Sequence, residues 1–369
     1  MPYHGSLCGG LVMRVAFALC AAAFAALSVA SVAQDLPQVH VLACETGCPK
    51  WVAPKPVGEH RSYFPTGEKN AFPQFRAEAF AVIRFTITPE GTVRDPVLEK
   101  LVGPQDFADN AIEAVKTWRY QPATADGVPT AANWRTEVAY FFSPPESGAR
   151  DATYYAYKKA QGLIGEKKYD EAIAVAVEAL GAQRLNFYER EMLSYLAALG
   201  YAAKGDYLTA RDYAEDATLF DAKFLSRDGR EAAMRLRVKL EALTGQFAEA
   251  SAWYEKLKQN ARIGADDSTT KIIAIVDARL NDAKPITMAA RIPTNGYPPL
   301  WSHTLLRRHF LFPEADPGVD RLMIDCDRNR IESPISTAAE WHVPKSWSNC
   351  RLLVHGAPGA KFMLTESVE

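Results

Sequence analysis

The chain has 369 residues, a formal net charge of -2, and 23% charged side chains. That length exceeds one ordinary domain and predicts two or three. A nearly neutral balance gives no electrostatic basis for holding nucleic acid or an acidic membrane surface, so protein partners are expected and nucleic acid is not.

Arg14 is followed by an almost wholly apolar run, Val15 to Val29, then by Ser31-Val32-Ala33 ahead of polar Gln34-Asp35. A basic start, an apolar stretch and a small-x-small site predict a secretory signal peptide over residues 1–33. The rival reading is an uncleaved anchor, because the 19 residues Val15 to Ala33 approach the roughly 20 that a span needs. The Ala-rich, weakly hydrophobic run favours cleavage. Val41-Leu42-Ala43-Cys44 imitates a lipoprotein box, yet polar Gln34, Asp35, Gln38 and His40 separate it from the apolar run. Residues 34–61 read as a linker carrying Cys44 and Cys48. With Cys326 and Cys350 the exported part has an even number of cysteines, which suits an oxidising compartment and, most simply, the bridges Cys44–Cys48 and Cys326–Cys350. The C-x-x-x-C spacing argues against a redox pair, and His40 and His60 have no ligand-spaced partner for a metal.

Between Tyr63 and Phe142 the periodicity predicts strand, hairpin, strand, helix, strand. Ala81, Ile83, Phe85 and Ile87 alternate up to the turn Pro89-Glu90-Gly91, and Val93, Val97 and Leu101 mark the returning strand, a hairpin with one apolar face. Phe107, Ala111, Ile112, Val115 and Trp118 recur at helical spacing, with Pro122 ending the helix. After Gly127-Val128-Pro129, alternation of Trp134, Thr136, Val138, Tyr140 and Phe142 predicts a third strand.

These features, with the approach Tyr63-Phe64-Pro65, the turn glycine Gly91, the helix end Trp118-Arg119-Tyr120-Gln121-Pro122 and the Gly-x-Pro before the last strand, resemble the C-terminal domain of the TonB energy-transducer family over about residues 62–143, within a domain of 62–146. The segment from Gly67 to Phe80 is longer and more polar than that family's approach. Family members bind the short box of an outer-membrane receptor by adding its strand to an exposed sheet edge. The matching edge here is Arg135, Thr136, Glu137, Val138, Ala139, Tyr140 and Phe141, with Arg135 and Glu137 expected on the solvent face. A working transducer also needs a helix with a Ser and a His one turn apart and a long Pro-rich spacer. Val15 to Ala33 contains no His, and residues 34–62 span only about 100 Å fully extended.

Beyond Pro145 three stretches share one signature: Gly165, Tyr169 and Ala172; Gly205, Tyr207 and Ala210; Gly245, Phe247 and Ala250. A glycine between two apolar-periodic segments, then an aromatic and an alanine, predicts helical hairpins at a period of about 40 residues. The pattern resembles the tetratricopeptide repeat, with a longer period, over 150–282. The resemblance implies a solenoid with a concave docking face. Tyr154, Tyr155 and Tyr157 are candidates for that face or for a packing cap.

From Pro285 prolines return and short runs, Leu305 to Phe312, Val319 to Asp325, Arg351 to Val354 and Lys361 to Leu364, predict a small β-rich domain over 286–369, tied by Cys326–Cys350 around Trp301, Trp341, Trp347, Phe310 and Phe312. No catalytic motif is present. Asp325-Cys326-Asp327-Arg328-Asn329 imitates a calcium loop, but Arg330 stands where glycine is required.

The expected fold is multidomain α+β: a small TonB-C-like βα sandwich, an all-α tetratricopeptide-like solenoid, then a small β-rich domain. The expected function is a periplasmic adaptor, not an enzyme, without cofactor or metal. Its partners are envelope proteins or extended peptides, with an outer-membrane receptor among the candidates. The alternatives are a membrane-anchored atypical transducer for outer-membrane uptake, and an envelope enzyme using His303, His309, His342 or His355 with Asp325, Asp327 and Glu332.

Overall fold

The computed structural model describes residues 49–65, 77–141, 148–182, 184–327 and 329–368. The expected leader, Cys44, Cys48 and Phe142 lie outside these residues. Among the described residues no helix is long and apolar enough to cross a membrane.

The chain starts with two short strands, β1 (Trp51–Val52) and β2 (Lys55–Val57), inside the stretch expected to be a linker. They carry no alternation a sequence reader could detect, and their pairing is decided later in the chain. β3 (Ala79–Ile87) and β4 (Val93–Val102) form the hairpin, and α1 (Gln105–Lys116) crosses it. Ala81, Ile83, Phe85 and Ile87 bury against Phe107, Ala108, Ala111 and Val115. The helix stops earlier than expected: Thr117 caps it, its hydroxyl donating to the Ala114 carbonyl at 2.7 Å. Arg119–Gln121 is instead a strand, β5, paired with β2, so Trp118 to Gln121 leaves the helix for a ladder partner 60-odd residues upstream. β6 (Ala123–Ala125) pairs with β1 and with β7 (Val128–Thr130). β8 (Ala132–Tyr140) then lies antiparallel to β3, giving the sheet order β4-β3-β8.

The register of β4 departs from simple alternation. Ile83 faces Leu98 and Val82 faces Lys100, so Glu99 is an extra residue in the strand. Such a bulge shifts the side-chain alternation by one place. Leu98 therefore packs on the core while Val97 is exposed, and Glu99 is turned inward on the opposite face at 6% exposure.

The helical region runs α2 (Asp151–Gly165), α3 (Tyr169–Leu180), α4 (Phe187–Ala203), α5 (Tyr207–Ala217), a 3-10 turn (Leu219–Ala222), α6 (Arg227–Leu243), α7 (Phe247–Asn260) and α8 (Ser268–Asn281). Ala172, Ala210 and Ala250 are all buried, where small side chains let paired helices approach. Gly205 and Gly245 adopt φ of +83° and +81° at their turns. In the first hairpin Gly165 is the last helical residue, and Lys167 takes the left-handed position at φ 60°. Counting back from Tyr169, Tyr207 and Phe247 puts Lys167, not Gly165, in register with the two glycines, so only the turn position of the first repeat was expected two residues too early.

Glu191 on α4 is fully buried, and neither oxygen reaches full hydrogen-bond geometry. Burial pushes its carboxyl up to about 9, opposed only in part by the Phe224 backbone N–H and the Arg230 charge. Its unfolded value is about 4.3, so between these values the folded chain holds a proton that the unfolded chain releases, and stability falls as pH rises, by about 1.4 kcal/mol per unit. Glu191→Gln is expected to flatten that slope, which urea midpoints at pH 5 and pH 8 would show.

The C-terminal part is a sandwich of two antiparallel four-stranded sheets built from β9 (Ile286–Arg291), β10 (Leu300–Thr304), β11 (His309–Ala315), β12 (Val319–Asp325), β13 (Arg330–Pro334), β14 (Glu340–His342), β15 (Arg351–Gly356) and β16 (Lys361–Ser367). One sheet has the order β10-β15-β12-β13, the other β14-β11-β16-β9. Trp301, Phe310, Phe312, Trp341 and Trp347 fill the space between them. Asp325 pairs with Arg351 across β12 and β15, and the Cys326–Cys350 disulfide closes just beyond that pair.

The three parts are not beads on a string: the described residues fall in one compact unit. The hairpin has two buried faces. Phe80 and Val82 of β3 and Val102 of β4, on the side away from α1, pack with Phe187, Leu219, Phe220 and Phe224 of the helical region. The apolar run Phe80-Ala81-Val82-Ile83 is the sequence trace of this double burial.

Candidate functional site

β8 has β3 on one side and no strand on the other among the described residues, so alternate N–H and C=O groups along it point outward. Its side chains are largely committed. Val138 and Tyr140 pack in the core under α1, and the Tyr140 hydroxyl donates to Asn110 at 2.9 Å. Ala139 joins the Phe80 cluster, and Phe141 is 39% exposed with Lys223 over its ring at 5.1 Å. Of the two charges expected on a solvent face, Glu137 is 59% exposed. Arg135 is 40% exposed and also donates to the buried Glu99 at 2.9 Å.

The first half of β8 opens on a cleft of about 630 Å³ lined by Asn133, Trp134 and Arg135, by Trp51 to Pro54, and by the disulfide corner with Asp325, Arg330 and Arg351. Asp325 accepts from Arg330 at 2.9 Å and from Arg351 at 3.1 Å. The cleft thus offers two aromatic rings beside a paired charge cluster, next to unpaired strand backbone.

The family-motif residues brace this edge from behind. Gly91 sits at φ +78°, and its carbonyl accepts the Tyr120 N–H at 2.8 Å. Trp118 stacks on His60 at 4.6 Å, and its indole donates to the Arg61 carbonyl at 3.4 Å. Tyr120 contacts Phe85 and Trp134 at 5.8 and 6.1 Å, and burial pushes its hydroxyl up to about 12. Arg119 is exposed and bonds the Thr117 and Trp118 carbonyls, and Pro122 separates β5 from β6.

A second feature lies where the three parts meet. The bulge at Glu99 turns Lys100 toward α5, where it bonds Glu215 at 2.8 Å and Asp216 at 3.2 Å. Lys100 is raised despite desolvation because two carboxylates face it, and Glu215 is held far below the usual carboxylate range by Lys100 and Arg237. Arg291 of β9 reaches Asp212 at 3.2 Å, and the Leu101 N–H donates to the Tyr297 carbonyl at 2.6 Å. Lys100, Asp212, Glu215, Asp216, Arg237 and Tyr297 line a cavity of about 260 Å³ together with Arg135. Sequence reasoning missed it, since none of its charges forms a motif. Charged side chains of α5 to α7 thus face β4 and the sandwich across this cavity. Tyr154 and Tyr155 remain exposed at 49% and 73%, whereas Tyr157 packs on the helical core.

The histidines of the sandwich are not gathered into one site. His303 is buried between Gln246 and Glu366, His309 and His342 contact each other, and burial lowers His355. Asp325 and Asp327 serve other partners: arginines for the first, Ser348 and Asn349 for the second. Among the described residues no group of three or more His, Cys, Asp or Glu is placed to hold a metal ion.

A three-stranded sheet with one helix packed across it and an unpaired outer strand defines a small strand-presenting domain. Residues 76–141 match the family described as the Gram-negative bacterial TonB protein C-terminal, which places this domain among those of the Gram-negative cell envelope. No curated protein matches the chain.

Proposed function

We propose that the protein is an exported envelope adaptor that captures an extended peptide segment of a partner by strand addition along Arg135 to Phe141. It acts by binding, not by catalysis. The observation that carries this reading is the unpaired edge of β8 opening on a large cleft, within the domain that matches the TonB C-terminal family. Backbone ladder bonds supply affinity in such a mode, and pockets for alternate side chains supply selectivity. Trp51 and Trp134 suit an apolar or aromatic peptide residue, while Arg330, Arg351 and Asp325 suit a polar one beside it. The natural source is the box of an outer-membrane receptor, which links the adaptor to TonB-dependent transport.

The test is amide mapping of the isotope-labelled exported chain with receptor-box peptides. Binding should move alternate amides between 133 and 141 together with the Trp134 indole. If no such peptide moves them, strand addition at β8 is wrong. Intact mass of protein taken from its own envelope separates adaptor from transducer: a chain starting at Gln34 supports the adaptor, and a full-length chain in the inner membrane supports the transducer.

A further inference from the structure

The cavity at the junction of β4, α5 to α7 and the sandwich is built from charge. Five basic and six acidic side chains line it. Most are paired within the wall: Lys100 with Glu215 and Asp216, Arg211 with Asp212 at 3.0 Å, Arg237 with Glu241, and Arg135 with Glu99.

Three polar atoms of lining residues are different. Gln246 Nε2, Glu249 Oε2 and Trp301 Nε1 are buried and lack a hydrogen-bond partner, whereas Glu99 Oε1 has Arg84 and Arg351 at 3.8 and 3.7 Å. Gln246 is 2% exposed and Trp301 is 1% exposed. Folded proteins leave few buried groups of this kind, and three around one cavity point to an occupant. Their geometry is fixed from behind. Gln246 bonds His303 Nδ1 at 2.6 Å through the other end of its amide, and Glu249 Oε1 accepts the N–H and hydroxyl of Thr304 at 3.1 and 2.6 Å. Turning the Gln246 amide over exchanges the free atom but still leaves one free. Trp301 is clamped between His303 and Phe362, with ring centroids at 5.5 and 5.0 Å.

The unmet requirements define a ligand. The lone carboxylate oxygen of Glu249 calls for a protonated amine, and the lone indole and amide donors call for an oxygen acceptor. The volume holds about nine waters at about 30 Å³ each, or one molecule of amino-acid size. We infer that this cavity binds a small zwitterion of the free amino-acid class, its ammonium at Glu249 and its carboxylate at Trp301 and Gln246. The cavity shares Arg135 and Arg351 with the cleft beside β8, but Glu249, Gln246 and Trp301 line the cavity alone, and its test does not depend on peptide capture.

The experiment is calorimetry and indole N–H resonance mapping on the dialysed exported chain. The probes are glycine, L-alanine, L-serine and L-glutamine, with ethylamine and acetate as half-ligands. At least one amino acid should give saturable heat and move the Trp301 signal, identified by its absence in Trp301→Phe. Each half-ligand should bind at least about tenfold more weakly. Trp301→Phe removes one donor and should weaken binding about tenfold; the smaller ring in the core should also lower the unliganded melting temperature, so affinity is compared well below that melting temperature. Glu249→Gln, which keeps the size and one oxygen, should weaken the same amino acid without improving acetate. No heat and no shift from any amino acid at about 10 mM would mean that the cavity holds water only, and would overturn the inference. Acetate binding as tightly as the amino acids, or unchanged affinity in Trp301→Phe, would overturn it too.

Discussion

Replacing Glu366 by leucine is expected to destabilise the folded chain by about 3–5 kcal/mol. Glu366 is fully buried on β16. One oxygen accepts the N–H groups of Leu306 at 2.8 Å and Arg307 at 2.7 Å, and the other bonds His303 Nε2. His303 continues to Gln246 at the turn between α6 and α7. A single carboxylate thus closes the connection from β10 to β11 and ties the sandwich to the helices. Leucine has similar bulk but no acceptor, so two backbone donors and an imidazole nitrogen lose their partner where water does not reach. Urea unfolding of the oxidised chain should show the loss as a lower midpoint. Glu366→Gln, which retains one oxygen, should recover part of it. A loss under about 1 kcal/mol for leucine would mean that water replaces the carboxylate.

Gly91→Ala should cost about 3–4 kcal/mol, more than a left-handed backbone alone explains. Gly91 has φ +78°, and a Cβ there would stand 1.9 Å from the Tyr120 carbonyl oxygen. The backbone of β5 would have to retreat, breaking the bond from the Tyr120 N–H to the Gly91 carbonyl. Gly127→Ala is the control: φ is +81°, but nothing lies within 4 Å of the added Cβ, so only the conformational term of about 1–2 kcal/mol applies. The difference between the two midpoints measures the close approach itself. Tyr120 packs on Trp134, so Gly91→Ala should also weaken peptide capture at β8, whereas Gly127→Ala should not. Equal effects of the two substitutions would show that β5 yields without strain.

The expected hairpin and crossing helix were legible because Ala81, Ile83, Phe85 and Ile87 alternate and Phe107, Ala111 and Val115 recur at helical spacing, patterns set by local geometry. The matching family segment, 76–141, falls on those residues. The glycine-centred turns were legible at Gly205 and Gly245 for the same local reason. In the first hairpin a lysine occupies the left-handed position, and Gly165 two residues earlier drew the eye. The end of α1 was misjudged because Arg119 to Gln121 is drawn out of helix by a strand from residues 55–57, a partner that no local pattern announces.

By itself, then, the sequence determined the hairpin, its crossing helix and the strand after them, the family that this segment matches, the helix-then-strand order that follows, and the Cys326–Cys350 bridge. Each rests on short-range periodicity, turn chemistry or cysteine arithmetic. Only the tertiary structure decided that the second face of β3 is buried, that Arg135 bonds the buried Glu99, and that three unpartnered polar groups share one cavity. Those outcomes depend on which surfaces meet across a hundred residues or more. A one-residue bulge at Glu99 was enough to redirect two charges into that junction.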